Sequence, residues 1–208
     1  MKILLLIIHH DHTLYNKMIK FQQNYIHKHE HIDSYIVKMD QNITNDIEIK
    51  GDSILVKGEE KLLNVLYKTI YSLEILTQFG QSNKYNYIIR SNASTVIDLE
   101  NLYNYCISIK NQNLYTGGRL LHLDWIDEPG GIIDEQFFGT PFIQGCFIIM
   151  SMDIVKKILS NKTKLKDYRN REYIAYRNHR ASSYSWGDRE ADIEEIKNQI
   201  NCIYNIYE

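Results

Sequence analysis

Six consecutive apolar residues, Ile3-Leu-Leu-Leu-Ile-Ile8, stand near the start of the chain with no polar position among them. A strand with one wet face alternates polar and apolar side chains, so a short unbroken run reads as a strand covered on both faces. Helices provide such cover, which points to an α/β sandwich. The run is short for a leader peptide, and His9, His10 and Asp11 follow it where small residues would mark a cleavage site. We therefore read Lys2–Ile8 as the first, buried strand.

A second stretch, Tyr85–Asp98, organises the rest of the chain. Tyr87, Ile88 and Ile89 are aromatic or apolar, and Arg90 to Thr95 then present one cation and a run of small polar groups. In open α/β sheets, ligands bind just beyond the carboxyl ends of the strands, so this polar turn is the first place to look for chemistry. The plainer alternative is a Ser- and Asn-rich turn that only caps the next helix.

The intervening pattern alternates. A helix is predicted from Leu14 to about His29, capped by Asp11 or Thr13, followed by a strand at Ser34–Met39. Short β-like pieces lie near Ile47–Ile49 and Ile54–Val56. Leu62, Leu63, Leu66, Ile70, Leu73 and Leu76 recur at helical spacing within Glu59–Phe79, with Gly80 to end that helix. Asp98 caps a helix to about Ile109; Leu114–Thr116 and Phe142–Met150 read as strands, and Ser151 caps a helix to about Leu159. Arg119–Phe138 and Asn161–Ser185 read as loops, and Asp188 opens a last acidic helix. With no repeat or linker, the expectation is one domain over residues 1–208, an α/β fold with a mainly parallel central sheet flanked by helices.

Composition removes several classes. A net charge of −2 gives no sign of a non-specific nucleic-acid binder. No stretch is long and apolar enough to span a bilayer. Cys106, Cys146 and Cys202 form an odd set without metal-ligand spacing, as expected for free thiols in a reducing compartment. Of three glycosylation sequons, at Asn42, Asn92 and Asn161, the second falls in the suspected site, where a glycan would obstruct binding. Both points favour a cytoplasmic protein.

Four pieces, in order, resemble the beta-1,3-galactosyltransferase and Fringe-like enzymes, glycosyltransferase family thirty-one. Asn64-Val-Leu-Tyr-Lys68-Thr69-Ile70 is similar to that family's asparagine-leucine-threonine-leucine-lysine-threonine-leucine helix. Tyr85-Asn-Tyr-Ile-Ile-Arg90 resembles the strand before its metal-binding aspartates, and Tyr115-Thr-Gly117-Gly118 its tyrosine-x-glycine strand. Gly139 to Asp153 resembles its proline-aromatic-x-x-glycine segment leading into a strand, a serine and a helix. Together these cover about half the chain.

The resemblance implies an A-type glycosyltransferase fold, with the nucleotide in the half up to about residue 110 and the acceptor in the half beyond. It implies inverting transfer of a sugar from a nucleoside diphosphate donor, UDP foremost, to a hydroxyl of a glycan or glycoprotein. A carboxylate would take the hydroxyl proton, and the departing diphosphate would need a counter-charge. For Mn²⁺ or Mg²⁺ the sequence departs from its family: Asn92-Ala93-Ser94 stands in place of an aspartate triplet. Neutral oxygens bind hard divalent cations poorly. Either Arg90, Lys68 and backbone N–H groups stabilise the diphosphate without metal, or the chain binds without transferring. Arg90–Ser94 also resembles a pattern in divergent viral and bacterial relatives; a viral source would place the protein in the host cytosol.

On this reading His9, His10, Asp11, Lys68, Arg90, Ser91, Asn92 and Ser94 bind the nucleotide sugar. Trp125, Asp124, Gln144 and Gly145 bind the acceptor, the indole stacking on a sugar ring. Asp188 is the base, with Glu190 beside it in Trp186-Gly-Asp-Arg-Glu-Ala-Asp-Ile193. Each has a plainer alternative. Asp188 and Glu190 suit an N-cap and helix dipole, Lys68 a solvated helix face, and Trp125 a half-buried loop. Arg169, Arg171, Arg177 and Arg180 read as a solvated basic loop that could also close over a diphosphate. His9-His-Asp-His12 offers a different class, a metal-dependent hydrolase, although adjacent residues on extended chain point in opposite directions.

Overall fold

A computed structural model describes residues 1–60, 64–124, 138–143 and 145–164. Its main sheet has seven strands in the order β3-β4-β2-β1-β5-β9-β6. These are β1 (Ile3–Ile8), β2 (Ile32–Asp40), β3 (Ile47–Lys50), β4 (Ser53–Lys57), β5 (Tyr87–Asn92), β6 (Tyr115–Gly117) and β9 (Phe147–Ser151). A separate two-stranded sheet pairs β7 (Leu120–His122) with β8 (Pro141–Ile143). The helices are α1 (Thr13–Ile26), α2 (Val65–Gln78), α3 (Leu99–Ser108) and α4 (Met152–Ser160).

All six residues of β1 are buried, as an unbroken apolar run requires. Ile3, Leu5 and Ile7 pack with Ile19 and Ile26 of α1 and Leu99, Leu102 and Cys106 of α3. Leu4, Leu6 and Ile8 pack with Leu73, Ile75 and Leu76 of α2 and Ile154 and Val155 of α4. Each such side chain stabilises the fold by roughly 1.5–3 kcal/mol, so β1 is the strand on which both cores depend.

The fold is α/β as expected, but the sheet is mixed and not mainly parallel. β1 pairs in parallel with β2 and β5, and β2 with β4. The β3–β4, β5–β9 and β6–β9 ladders are antiparallel. Helical crossovers, α1 between β1 and β2 and α2 before β5, give the parallel pairs of β1, whereas β2 and β4 are joined through β3 without a helix. β3 and β4 instead form a tight hairpin, and β9 returns beside β5 in the opposite sense.

Other expectations shift locally. The apolar stretch Phe142–Met150 is two strands, because β8 leaves the main sheet to pair with β7. Gly117 lies where a Cβ would come within 2.4 Å of the Phe147 carbonyl oxygen, so β6 and β9 meet only because that side chain is missing. Helix α1 is capped by His12, whose Nδ1 accepts from Leu14 N at 3.2 Å, rather than by Asp11 or Thr13. Asp98 caps α3 as expected. Ser151 sits at the N-cap of α4 without capping it; its hydroxyl joins Leu114 and Asp153 instead. Gly80, at φ 66°, ends α2 as a left-handed residue should. Among the described residues, no helix is long and apolar enough to cross a membrane.

Candidate functional site

β1 and β5 run parallel in register to Ile8↔Asn92, so the polar residues that follow each strand leave the sheet side by side. His9 N still donates to Val37 O, and Ala93 N to Ile8 O, both at 3.0 Å. Between these strand ends and α2 lies a cleft of about 200 Å³, lined by His9, His10, Tyr15, Glu60, Lys68, Asn92 and Ser94 among others. It occupies the carboxyl end of the parallel strands, where α/β folds place ligands.

Lys68 is 1% exposed, which overturns the solvated-face alternative. It shares a buried face of α2 with Ser72, Ile75 and Leu76. Its Nζ donates to the His9 carbonyl at 2.7 Å and to the Glu60 carboxylate. Burial holds the lysine below its ordinary range; the Glu60 carboxylate opposes this and the charge of Arg90 adds to it. Lys68 therefore braces the cleft wall, with two of its three donors spent inside the protein.

Glu60 is the residue that sequence reasoning missed. Oε1 meets Lys68 and lies 3.4 Å from His10 Nδ1, while Oε2 accepts from Met39 N at 3.3 Å. The available signal was indirect: a lysine in phase with a buried helix face needs a carboxylate, and Glu59 and Glu60 are the nearest acids before it.

His9 is 2% exposed, and its Nε2 lies 2.8 Å from Asn16 Oδ1. Asn16 Nδ2 donates to Asp11 Oδ1, which fixes the amide and makes His9 Nε2 the proton-bearing nitrogen. His9 Nδ1 is then a buried acceptor without a hydrogen-bond partner among the described residues. Burial keeps the imidazole below its ordinary pKa despite the Asn16 hydrogen bond, so it is neutral near pH 7. Asp11 itself is exposed and does not line the cleft. His9, His10 and His12 turn to Asn16, Glu60 and the α1 cap respectively, so the three rings do not converge on a common point.

The β5 side is equally specific. Arg90 shares its sheet face with Leu6 and Ile148, its register partners, and is 6% exposed. Ser91 is fully buried on the opposite face, its hydroxyl donating to Asn92 O, and it does not reach the cleft. Asn92 and Ser94 line it. The loop is pinned from below by buried Gln22 of α1, which donates to the carbonyls of Ala93 and Thr95. Gly145 is exposed, and a Cβ there would lie 3.0 Å from Arg90 Nη1, so this glycine is cover for the guanidinium. Asp124 is exposed beyond β7, away from the cleft lining. Trp125, Gln144, Asp188, Glu190 and the four loop arginines lie outside the described residues.

A divalent metal fits these groups badly. The donors lining the cleft are an amide, the hydroxyls of Tyr15 and Ser94, imidazoles and one carboxylate already engaged by Lys68. No group of three His, Cys, Asp or Glu side chains among the described residues is placed to hold a metal ion. Compared with protein-family models and with curated proteins, the chain matches none.

Proposed function

We propose that this chain is a glycosyltransferase of the A-type fold that takes a nucleoside diphosphate sugar, UDP-linked foremost, and glycosylates a hydroxyl of a glycan or protein. The observation that carries the reading is the cleft at the carboxyl ends of β1 and β5. There His9, His10, Asn92 and Ser94 meet the Lys68–Glu60 pair from separate parts of the chain. The mixed α/β sheet is compatible with that fold.

In this reading His9, His10 and Tyr15 face the base and ribose, and the neutral His9 offers Nδ1 as an acceptor. Lys68 and Glu60 are positioning residues that hold the β1 end against α2. The acceptor oxygen attacks the anomeric carbon, the bond from that carbon to the diphosphate oxygen breaks, and the diphosphate leaves with the electron pair. Asp188 takes the hydroxyl proton as general base. No step runs through a metal.

A second reading is a non-catalytic nucleotide-sugar or glycan-binding module. It is favoured by the lack of any carboxylate in Asn92-Ala93-Ser94 and by the engagement of Glu60 with Lys68. The hydrolase alternative loses support because His9, His10 and His12 turn to separate partners.

Calorimetric titration with UDP, GDP and their sugar conjugates, first in EDTA and then with Mn²⁺, tests the proposal. EDTA-insensitive binding of one nucleotide is expected. Asp188→Asn should then keep binding and lose transfer measured by release of the free nucleotide. No binding of any nucleotide under either condition would sink the transferase reading.

A further inference from the structure

We infer that Arg90 is an anion-binding residue whose guanidinium waits for phosphate oxygens of the ligand, supplying from the protein the positive charge that a metal would otherwise bring. The observation is an imbalance. Arg90 is 6% exposed, and among the described residues its buried Nε has no hydrogen-bond partner and no carboxylate pairs with it. A buried arginine with a structural role is held by carboxylates or carbonyls, because an unpaired buried charge is costly. The Glu60 carboxylate beside the other buried cation is taken by Lys68 and His10. Among the described residues, Arg90 is within electrostatic reach of Lys68, Tyr115 and Cys146, and no Asp or Glu carboxylate is among them. Among the described residues the cluster therefore lacks one negative charge.

The surroundings suit an anion. Arg90 is held in β5 by ladders on both sides, so its backbone needs no reordering when a ligand arrives. Arg90 does not itself line the cleft; it lies on the same sheet face as Asn92, which does, one pleat further from the strand end. Among the described residues, exposed Gly145 lies against it, where a Cβ would come 3.0 Å from Arg90 Nη1. A planar five-donor fork matches the paired oxygens of a phosphate better than an ammonium does. That the phosphate belongs to a nucleoside diphosphate rests on the function proposed above; the need for an anion does not.

The test uses the full chain in EDTA, titrated with inorganic pyrophosphate and with UDP, alongside thermal melts of wild type and Arg90→Met. Wild type should bind both. Arg90→Met should weaken both by roughly 100-fold, and without ligand it should melt at a higher temperature than wild type, since an uncompensated charge has gone. UDP should raise the melting temperature of wild type alone. Should Arg90→Met fail to fold, Gly145→Val crowds the guanidinium from outside and should weaken pyrophosphate binding. An Arg90→Met protein that melts lower and binds both probes like wild type overturns the inference, as does undiminished binding by Gly145→Val. Pyrophosphate bound through Arg90 without UDP affinity would keep the anion site and reject the transferase. UDP binding indifferent to Arg90 would do the reverse, and no binding of either probe rejects both.

Discussion

Lys68 Nζ donates to the carbonyl oxygen of His9 at 2.7 Å, joining the buried face of α2 to the first residue beyond β1. Both partners are almost fully buried, so this contact sets the spacing of the cleft wall. It makes Lys68 a residue whose loss should disturb binding through position rather than through a missing ligand contact.

Lys68→Ala leaves the Glu60 carboxylate without its partner and should destabilise the fold by about 3 kcal/mol. Urea denaturation of Lys68→Ala, Glu60→Gln and the double variant measures the coupling, expected at about 1 kcal/mol or more. Additive losses would show that the two side chains do not act as a pair.

His9 predicts a pH dependence. Burial lowers its native pKa below 6.5, with Lys38 adding to the effect and Asn16, Asp11 and Glu60 opposing it. On acidification the unfolded chain takes up the proton near its normal pKa, whereas the native imidazole resists. Stability should therefore fall as pH drops below about 6.5 towards the depressed native value, with a slope of at most about 1.4 kcal/mol per pH unit for this one proton. His9→Gln should flatten that part of the stability profile; an unchanged slope would mean His9 does not contribute.

Gln22 holds the Asn92–Thr95 loop from beneath through the carbonyls of Ala93 and Thr95. Gln22→Ala should cost about 1–2 kcal/mol in thermal melts and weaken UDP binding as the loop loosens. Weaker binding without any stability loss would contradict this account.

Gly117 tolerates no side chain, since a Cβ would sit 2.3 Å from Ile143 Cγ2 and 2.4 Å from the Phe147 carbonyl oxygen. Gly117→Ala should destabilise by about 2 kcal/mol, read by chemical denaturation. Gly118→Ala is the control, because a Cβ there meets nothing within 4 Å.

Much of the fold was legible in local pattern. The run Ile3–Ile8 announced a doubly covered strand, and the change from Ile89 to Arg90–Ser94 announced a strand end with polar residues beyond it. Asp98 and Gly80 marked helix boundaries by their own chemistry. Strand direction was not legible: β9 is as apolar as a parallel strand would be, and its antiparallel sense depends on the path of the chain. Nor was the break between β8 and β9, since both halves are apolar and only their partners differ.

The candidate site divides in the same way. His9, His10, Asn92 and Ser94 could be placed near a cleft because residues that follow adjacent parallel strands must emerge together. The sequence by itself determined the strands of the sheet centre, most helix positions and the polar turns, but not β7 or the β8–β9 break, because only the former follow from side-chain periodicity and backbone preference within a few residues. Tertiary structure alone decided that Ser91 turns away, that Lys68 is braced by Glu60, and that Arg90 is buried without a partner among the described residues. Pairing and burial of charge depend on which groups meet across long stretches of chain, and that information exists only after the sheet has assembled.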